Sequence, residues 1–140
     1  VGVYERMLDQ LAINKHLSLN RLYLVSTQPD VNQQIGYLNH FRAAGERETG
    51  HVQLSATHVV HVDLTNHPGS AHPVYPSVVV ATCVKVSGVK TFNGRGRSTT
   101  AKSRKPYFKT RLTLINVKYP APDQWLVKSV TDTEVRTCGA

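Results

Sequence analysis

Up to Phe41 the apolar residues of this chain recur every three or four positions; from His51 onward they alternate. Val3, Met7, Leu8 and Leu11 share one face of a helix expected over about residues 2–16, because 3.6 residues per turn stacks those positions. A short segment at 21–24 follows, with Ser18 or Asn20 able to cap it by accepting a free backbone N–H, and Pro29 interrupts it. Asp30 then opens a second amphipathic helix, whose stripe of Val31, Ile35, Leu38 and Phe41 runs to an exit at Ala43-Ala44-Gly45. Beyond Gly50 the period becomes two. Val52, Leu54, Ala56, His58, Val60, Val62 and Leu64 are expected on the buried face of a first strand, with Gln53, Ser55, Thr57, His61 and Asp63 on the other. The apolar, β-branched run 75–89 reads as a second, central strand, 107–119 as a third and 125–138 as a fourth. Turn residues Asn66-His67-Pro68-Gly69 and Pro120-Ala121-Pro122-Asp123 separate them, so the connections imply an antiparallel meander. The predicted fold is a single α+β domain over 1–140: helices within about 2–45 cover the apolar face of a four-stranded sheet within about 51–138.

Charge changes this picture by sign and by position. The 140 residues carry 17 Lys+Arg against 9 Asp+Glu, a net charge of +8, which favours anionic partners. The window from Lys85 to Arg111 contains no acid. Its centre, 93–106, is rich in Gly, Ser and Thr and reads as an exposed, flexible hairpin loop. Arg95, Arg97, Lys102, Arg104, Lys105, Lys109 and Arg111 are the candidate anion ligands, against the commoner outcome of a solvated basic loop. Only Phe92 and Tyr107 flank the cluster, thin support for base stacking, so an anionic surface or polymer ranks ahead of nucleic acid. No stretch approaches the roughly 18 to 20 apolar residues of a membrane helix. The sequence begins at Val1, and membrane association is expected only through a segment upstream of it.

Two cysteines, Cys83 and Cys138, lie far apart with no CxxC pair, which leaves a disulfide or two free buried thiols. A bond closing so long a loop would contribute roughly 4 kcal/mol in the chain-entropy model. It would also place the domain outside a reducing cytoplasm.

The helix-helix-sheet order, the run Val-Val-Val-Ala-Thr-Cys-Val-Lys-Val-Ser-Gly-Val over 78–89, the run Trp-Leu-Val-Lys-Ser-Val over 125–130 and the late Cys138 together resemble a known group. They are similar to the nuclear-transport-factor-2-like (NTF2-like), cystatin-like domains of secreted or membrane-anchored actinobacterial proteins. The VirB8-like components of secretion and conjugation machines are a more distant likeness, by layout alone. The resemblance implies a curved sheet enclosing a cone-shaped cavity under the helices, a disulfide between Cys83 and Cys138, and an extracytoplasmic location. It also implies a protein partner, with a homodimer through sheet faces as one form.

Enzymatic relatives use that cavity, so its ionisable residues matter. His58 is the one ionisable residue in the apolar register of the first strand, and an inward histidine with a partner can act as a base near neutral pH. More often such a histidine is simply hydrogen-bonded in a core. Tyr4, Tyr37 and Trp125 are the other candidate cavity residues. No carboxylate shares the register of His58: Asp63 has opposite parity, and Asp132 and Glu134 lie late in the last strand. No nucleophile elbow, zinc-protease, P-loop or dinucleotide pattern is present, so no catalytic residue and no cofactor is assigned. His51, His58, His61, His67 and His72 cluster in sequence, but a strand cannot converge them on one point, so no metal site is expected. The expectation is a non-enzymatic extracytoplasmic interaction module, part of a cell-envelope or secretion assembly, with a basic hairpin for anionic partners. The alternatives are a cavity-type carrier or enzyme using His58, and a nucleic-acid binder using the 95–111 cluster.

Overall fold

A computed structural model describes residues 1–139; Ala140 lies outside the described residues. Two α-helices, α1 (Gly2–Ile13) and α2 (Asp30–Ala43), flank a short 3-10 helix (Leu19–Leu24) whose first N–H groups are capped by the Ser18 hydroxyl, which accepts from Asn20 N. Six strands follow: β1 (Arg47–Thr49), β2 (Gln53–Asp63), β3 (Ser77–Lys85), β4 (Lys90–Phe92), β5 (Tyr107–Asn116) and β6 (Trp125–Val135).

Helix α2 ends as its sequence implies. Gly45 takes a left-handed conformation (φ 72°), its N–H reaching Arg42 O while Glu46 N–H reaches Phe41 O, the paired bonds that close a helix C-terminus. The carbonyls at the end of α1 are satisfied differently, by a side chain from α2. The Arg42 guanidinium donates to Leu11 O (2.7 Å), Asn14 O (3.1 Å) and Leu17 O (2.8 Å), which locks the two helices together. Between them Leu11, Leu22, Val31 and Leu38 form one buried cluster. Tyr4 of α1 joins Leu112 of β5 and Val127 of β6 in a second, which seats the helices on the sheet. Val3, expected on the buried stripe of α1, is exposed instead; the face in use runs through Tyr4, Leu8 and Leu11.

The main sheet is the expected antiparallel meander, in the order β2-β3-β5-β6. A second, two-stranded sheet pairs β1 with β4 and was not legible in the pattern, since strands of three residues are too short to show alternation. The outer edge of β6 is occupied: Thr27 N–H donates to Val127 O (2.8 Å) and Val127 N–H to Val25 O (3.0 Å), so the linker before α2 adds a short parallel bridge there.

Register assigns the two faces of this sheet. Leu112, fully buried under the helices, aligns with Val80 on β3 and Val130 on β6, so that row and every second row from it face the helices. The expected parity of the first strand fails here. Its ladder with β3 slips between Ser55 and His58, where Ala56 adopts a left-handed conformation (φ 50°), and again between Val59 and His61. Each slip inserts a residue and reverses the faces. Thr57 and Val59 therefore point to the helix side, where the Thr57 hydroxyl meets that of Thr82 at 2.7 Å, and His58 points to the opposite face. Nor is the strand half-buried: the helices lie over β5 and β6, and in β2 only Leu54 is partly covered while Val59 is 58% exposed.

Cys83 on β3 is bonded to Cys138, with Cα atoms 5.9 Å apart, which draws the segment after β6 back across the open side of the sheet. Among the described residues no helix is long and apolar enough to cross a membrane.

Candidate functional site

The acids are distributed unevenly between the two sides of the sheet. Asp9 and Asp30 are buried beneath the helices, Glu5 and Glu48 are half-buried near them, and Asp132 lies on the same side of β6. With Glu134, which the same register aligns with Phe108, six of the nine acids lie on the helix side, while Asp63, aligned with Ser77, faces the open side. The single ion pair among the described residues joins His51 Nδ1 to Asp9 at 3.5 Å. No Lys or Arg side chain of the described residues is paired with a carboxylate.

On the open side that imbalance is concentrated in a groove of about 540 Å³. Ala81 of β3 lies across the ladder from Arg111 of β5 on one side and from His58 of β2 on the other, so the methyl-sized side chain leaves a depression between a cation and an imidazole. Lys109, two residues before Arg111, extends from the same face roughly 7 Å along the strand. Thr131 and Thr133 of β6 add hydroxyls beside them, and Cys83, Cys138 and Gly139 close the end. No acid and no aromatic residue lines this groove. His58 Nδ1 lies 3.0 Å from Ala56 O; a carbonyl only accepts, so Nδ1 donates and the ring is held by the same left-handed residue that turned it outward.

The predicted anion ligands divide into three groups. Lys109 and Arg111 come together in the groove. Arg95, Arg97 and Lys102 are exposed on the 93–103 loop, which is hydrogen-bonded rather than free: Asn93 Oδ1 accepts from Arg95 N and Arg97 N at 3.0 Å each, and Thr99 N–H donates to Thr91 O. The other two serve the fold. Arg104 is half-buried and donates to the carbonyls of Val86 (2.8 Å) and Val89, and the Lys105 ammonium reaches Glu134 O at 3.2 Å.

The predicted cavity residues divide as well. His58 is on the wrong face for a cavity under the helices, because of the bulge at Ala56. Tyr4 is core: it is 2% exposed and its hydroxyl donates to Asp30 at 2.9 Å, with burial and that carboxylate holding the phenol well above its usual range. Trp125 is half-buried at the start of β6 and lines neither the open-face groove nor the two helix-side cavities. Tyr37 alone lines space on the helix side, stacked on Phe41 with ring centroids 5.9 Å apart.

That helix-side space consists of a cavity of about 420 Å³ between α1 and the start of β2 and one of about 170 Å³ between α1, α2 and β1, and Glu5, Asp9 and Val52 line both. Burial first, then the charges of Asp132 and Asp9, raise Glu5 to about 7. Asp9 is also raised by burial, against the opposing effects of the Val52 N–H it accepts (3.0 Å) and of His51. Glu48 is raised by burial and then by Asp9. Sequence reasoning missed this acidic pocket because its members come from α1 and β1, and only the docking of α1 unites them. The one available signal was Glu5 and Asp9 standing four apart on the first helix, one above the other. Among the described residues no group of three or more His, Cys, Asp or Glu is arranged to hold a metal ion.

No protein-family model and no curated protein sequence matches this chain. In structure it is similar to the intermembrane space region of the chloroplast protein ARC6, with a TM-score of 0.59 over 96% of this chain and 91% of that one. Identity across the match is 9%, so the likeness carries the α+β fold; the finer affinity with nuclear-transport-factor-2-like or VirB8-like domains rests on resemblance alone.

Proposed function

We propose that this chain is a non-enzymatic, extracytoplasmic interaction module that binds an anionic partner on the open face of its sheet, within a cell-envelope assembly. The observation that carries the reading is the unbalanced charge of that face. Lys109 and Arg111 project beside His58 into a groove with no acidic wall, while most of the acids lie on the other side of the sheet and Asp63, the acid that register places on the open face, lies outside the groove lining. Exposed cations without a counter-charge attract an anionic surface at long range and supply charge-assisted hydrogen bonds on contact. The disulfide supports a location outside a reducing compartment, as does a structural neighbour from an intermembrane space. The absence of aromatic residues from the groove disfavours a base-stacking mode. Repulsion between the same cations also opposes pairing two copies through this face, so a homodimer would use another surface.

The test is charge reversal at two places. Lys109→Glu/Arg111→Glu is expected to weaken retention on an anionic matrix such as heparin-agarose and lower the salt needed for elution, with Arg95→Glu/Arg97→Glu having the smaller effect. Equal effects of the two pairs, or none from the first, would refute the assignment to the open face.

A cavity carrier or enzyme is the second reading, and one observation favours it: Glu5, raised to about 7, lines a cavity of about 420 Å³. A carboxyl still partly protonated at neutral pH can donate a proton, so this reading now rests on Glu5 rather than His58. It predicts that a ligand bound under the helices is lost with Glu5→Gln and retained with His58→Ala.

A further inference from the structure

The disulfide and the open-face groove meet in the same place, which gives the bond a consequence beyond stability. Cys83 sits on β3 two residues beyond Ala81, and the bond to Cys138 holds the chain after β6 so that Cys138 and Gly139 form one wall of the groove. Without that wall the face would be a flat, solvated sheet bearing two exposed cations. With it, the Ala81 depression becomes a slot closed at one end by Cys138 and Gly139, with Lys109 and Arg111 along β5. Enclosure matters because exposed charges in water attract weakly, whereas a partly walled site keeps water from screening them and orders the donors in advance.

We propose that the Cys83–Cys138 bond completes a binding slot for a phosphoryl- or sulfate-type group, with Lys109 and Arg111 as its charged ligands and Ala81 as its floor. This rests on the anion-binding reading of the open face and adds the ligand chemistry and the element that builds the site. Lys109 and Arg111 leave the strand roughly 7 Å apart, a backbone spacing from which their long side chains can converge on the oxygens of phosphoryl- or sulfate-type groups. The slot, about 540 Å³ in all, leaves room for the body that carries them. The hydroxyls of Thr131 and Thr133 lie on the same face to donate to the remaining oxygens.

Pyrophosphate is the probe, with sodium chloride at matched ionic strength as the control for screening. In the oxidised protein, amide shifts of Ala81, Lys109 and Arg111 are expected to move saturably with pyrophosphate and not with chloride. Cys138→Ser is expected to weaken that binding about tenfold or more while the other sheet amides keep their positions. Ala81→Leu keeps the bond and fills the floor, so it reports even if the serine variant does not fold, and it is expected to lose binding to a similar degree. Binding unchanged in a folded Cys138→Ser or in Ala81→Leu overturns the slot. If at the same time Lys109→Glu/Arg111→Glu abolishes binding, the anion-binding reading of the face stands without it. Binding that survives this charge reversal, or shifts that never saturate, overturns both.

Discussion

Replacing Glu5 by glutamine should make the protein more stable at alkaline pH and leave it nearly unchanged in acid. Glu5 lies in the first turn of α1 among groups of its own sign: Asp9 one turn on, Asp30 of α2 and Asp132 of β6. Burial and these neighbours raise it from 4.5 to about 7, so the folded state holds a proton that the unfolded chain has already released over that interval. Protein stability therefore falls as pH rises from about 4.5 to 7, and the full cost is present above the folded value. At about 1.4 kcal/mol per unit the shift corresponds to roughly 3 kcal/mol, and partial access to water reduces it, so about 1.5 to 3 kcal/mol is expected. Glutamine keeps the shape and removes the charge. Urea unfolding followed through Trp125, the one tryptophan of the chain, should show Glu5→Gln gaining that amount at pH 8 and less than about 0.5 kcal/mol at pH 4. An equal gain at both pH values, or none at pH 8, would show that Glu5 is solvated as an ordinary surface carboxylate and that α1 does not pack as described.

Arg42→Met keeps the aliphatic stem and removes the donors to Leu11 O, Asn14 O and Leu17 O; about 2 to 4 kcal/mol should be lost in urea unfolding, and hydrogen exchange at the end of α1 should rise. Two glycines should respond in opposite directions to alanine. At Gly36, exposed in the middle of α2 with open space around its Cα, alanine should add about 0.5 to 1 kcal/mol; at Gly50, left-handed (φ 82°) with Gly88 O where a Cβ would go, it should cost about 2 kcal/mol or more, both read as urea midpoints.

Much of the fold was legible because burial on one side imposes a period. The stripe Val31, Leu38 and Phe41 is buried where the pattern put it, and the turns at 66–69 and 120–123 join neighbouring antiparallel strands, as short connections require. Pairing Cys83 with Cys138 followed from resemblance, and the structure bears it out. What failed was parity in β2. Alternation predicts a face only while the ladder stays in register, and the slip at Ala56 was invisible because alanine carries no signal for a left-handed residue.

The sequence by itself determined the helical layer, the four-stranded meander and the excess of positive charge, since each depends on local spacing or on a sum over residues. Tertiary structure alone decided which charges act together. Docking of α1 and α2 withdrew Glu5, Asp9 and Asp30 from the open face, a bulge moved His58 onto it, and backbone carbonyls claimed Arg104 and Lys105. Lys109 and Arg111 were left beside the disulfide, in a groove without a counter-charge. Charge interactions depend on distance through space and on burial, and neither quantity is written in the order of residues along the chain.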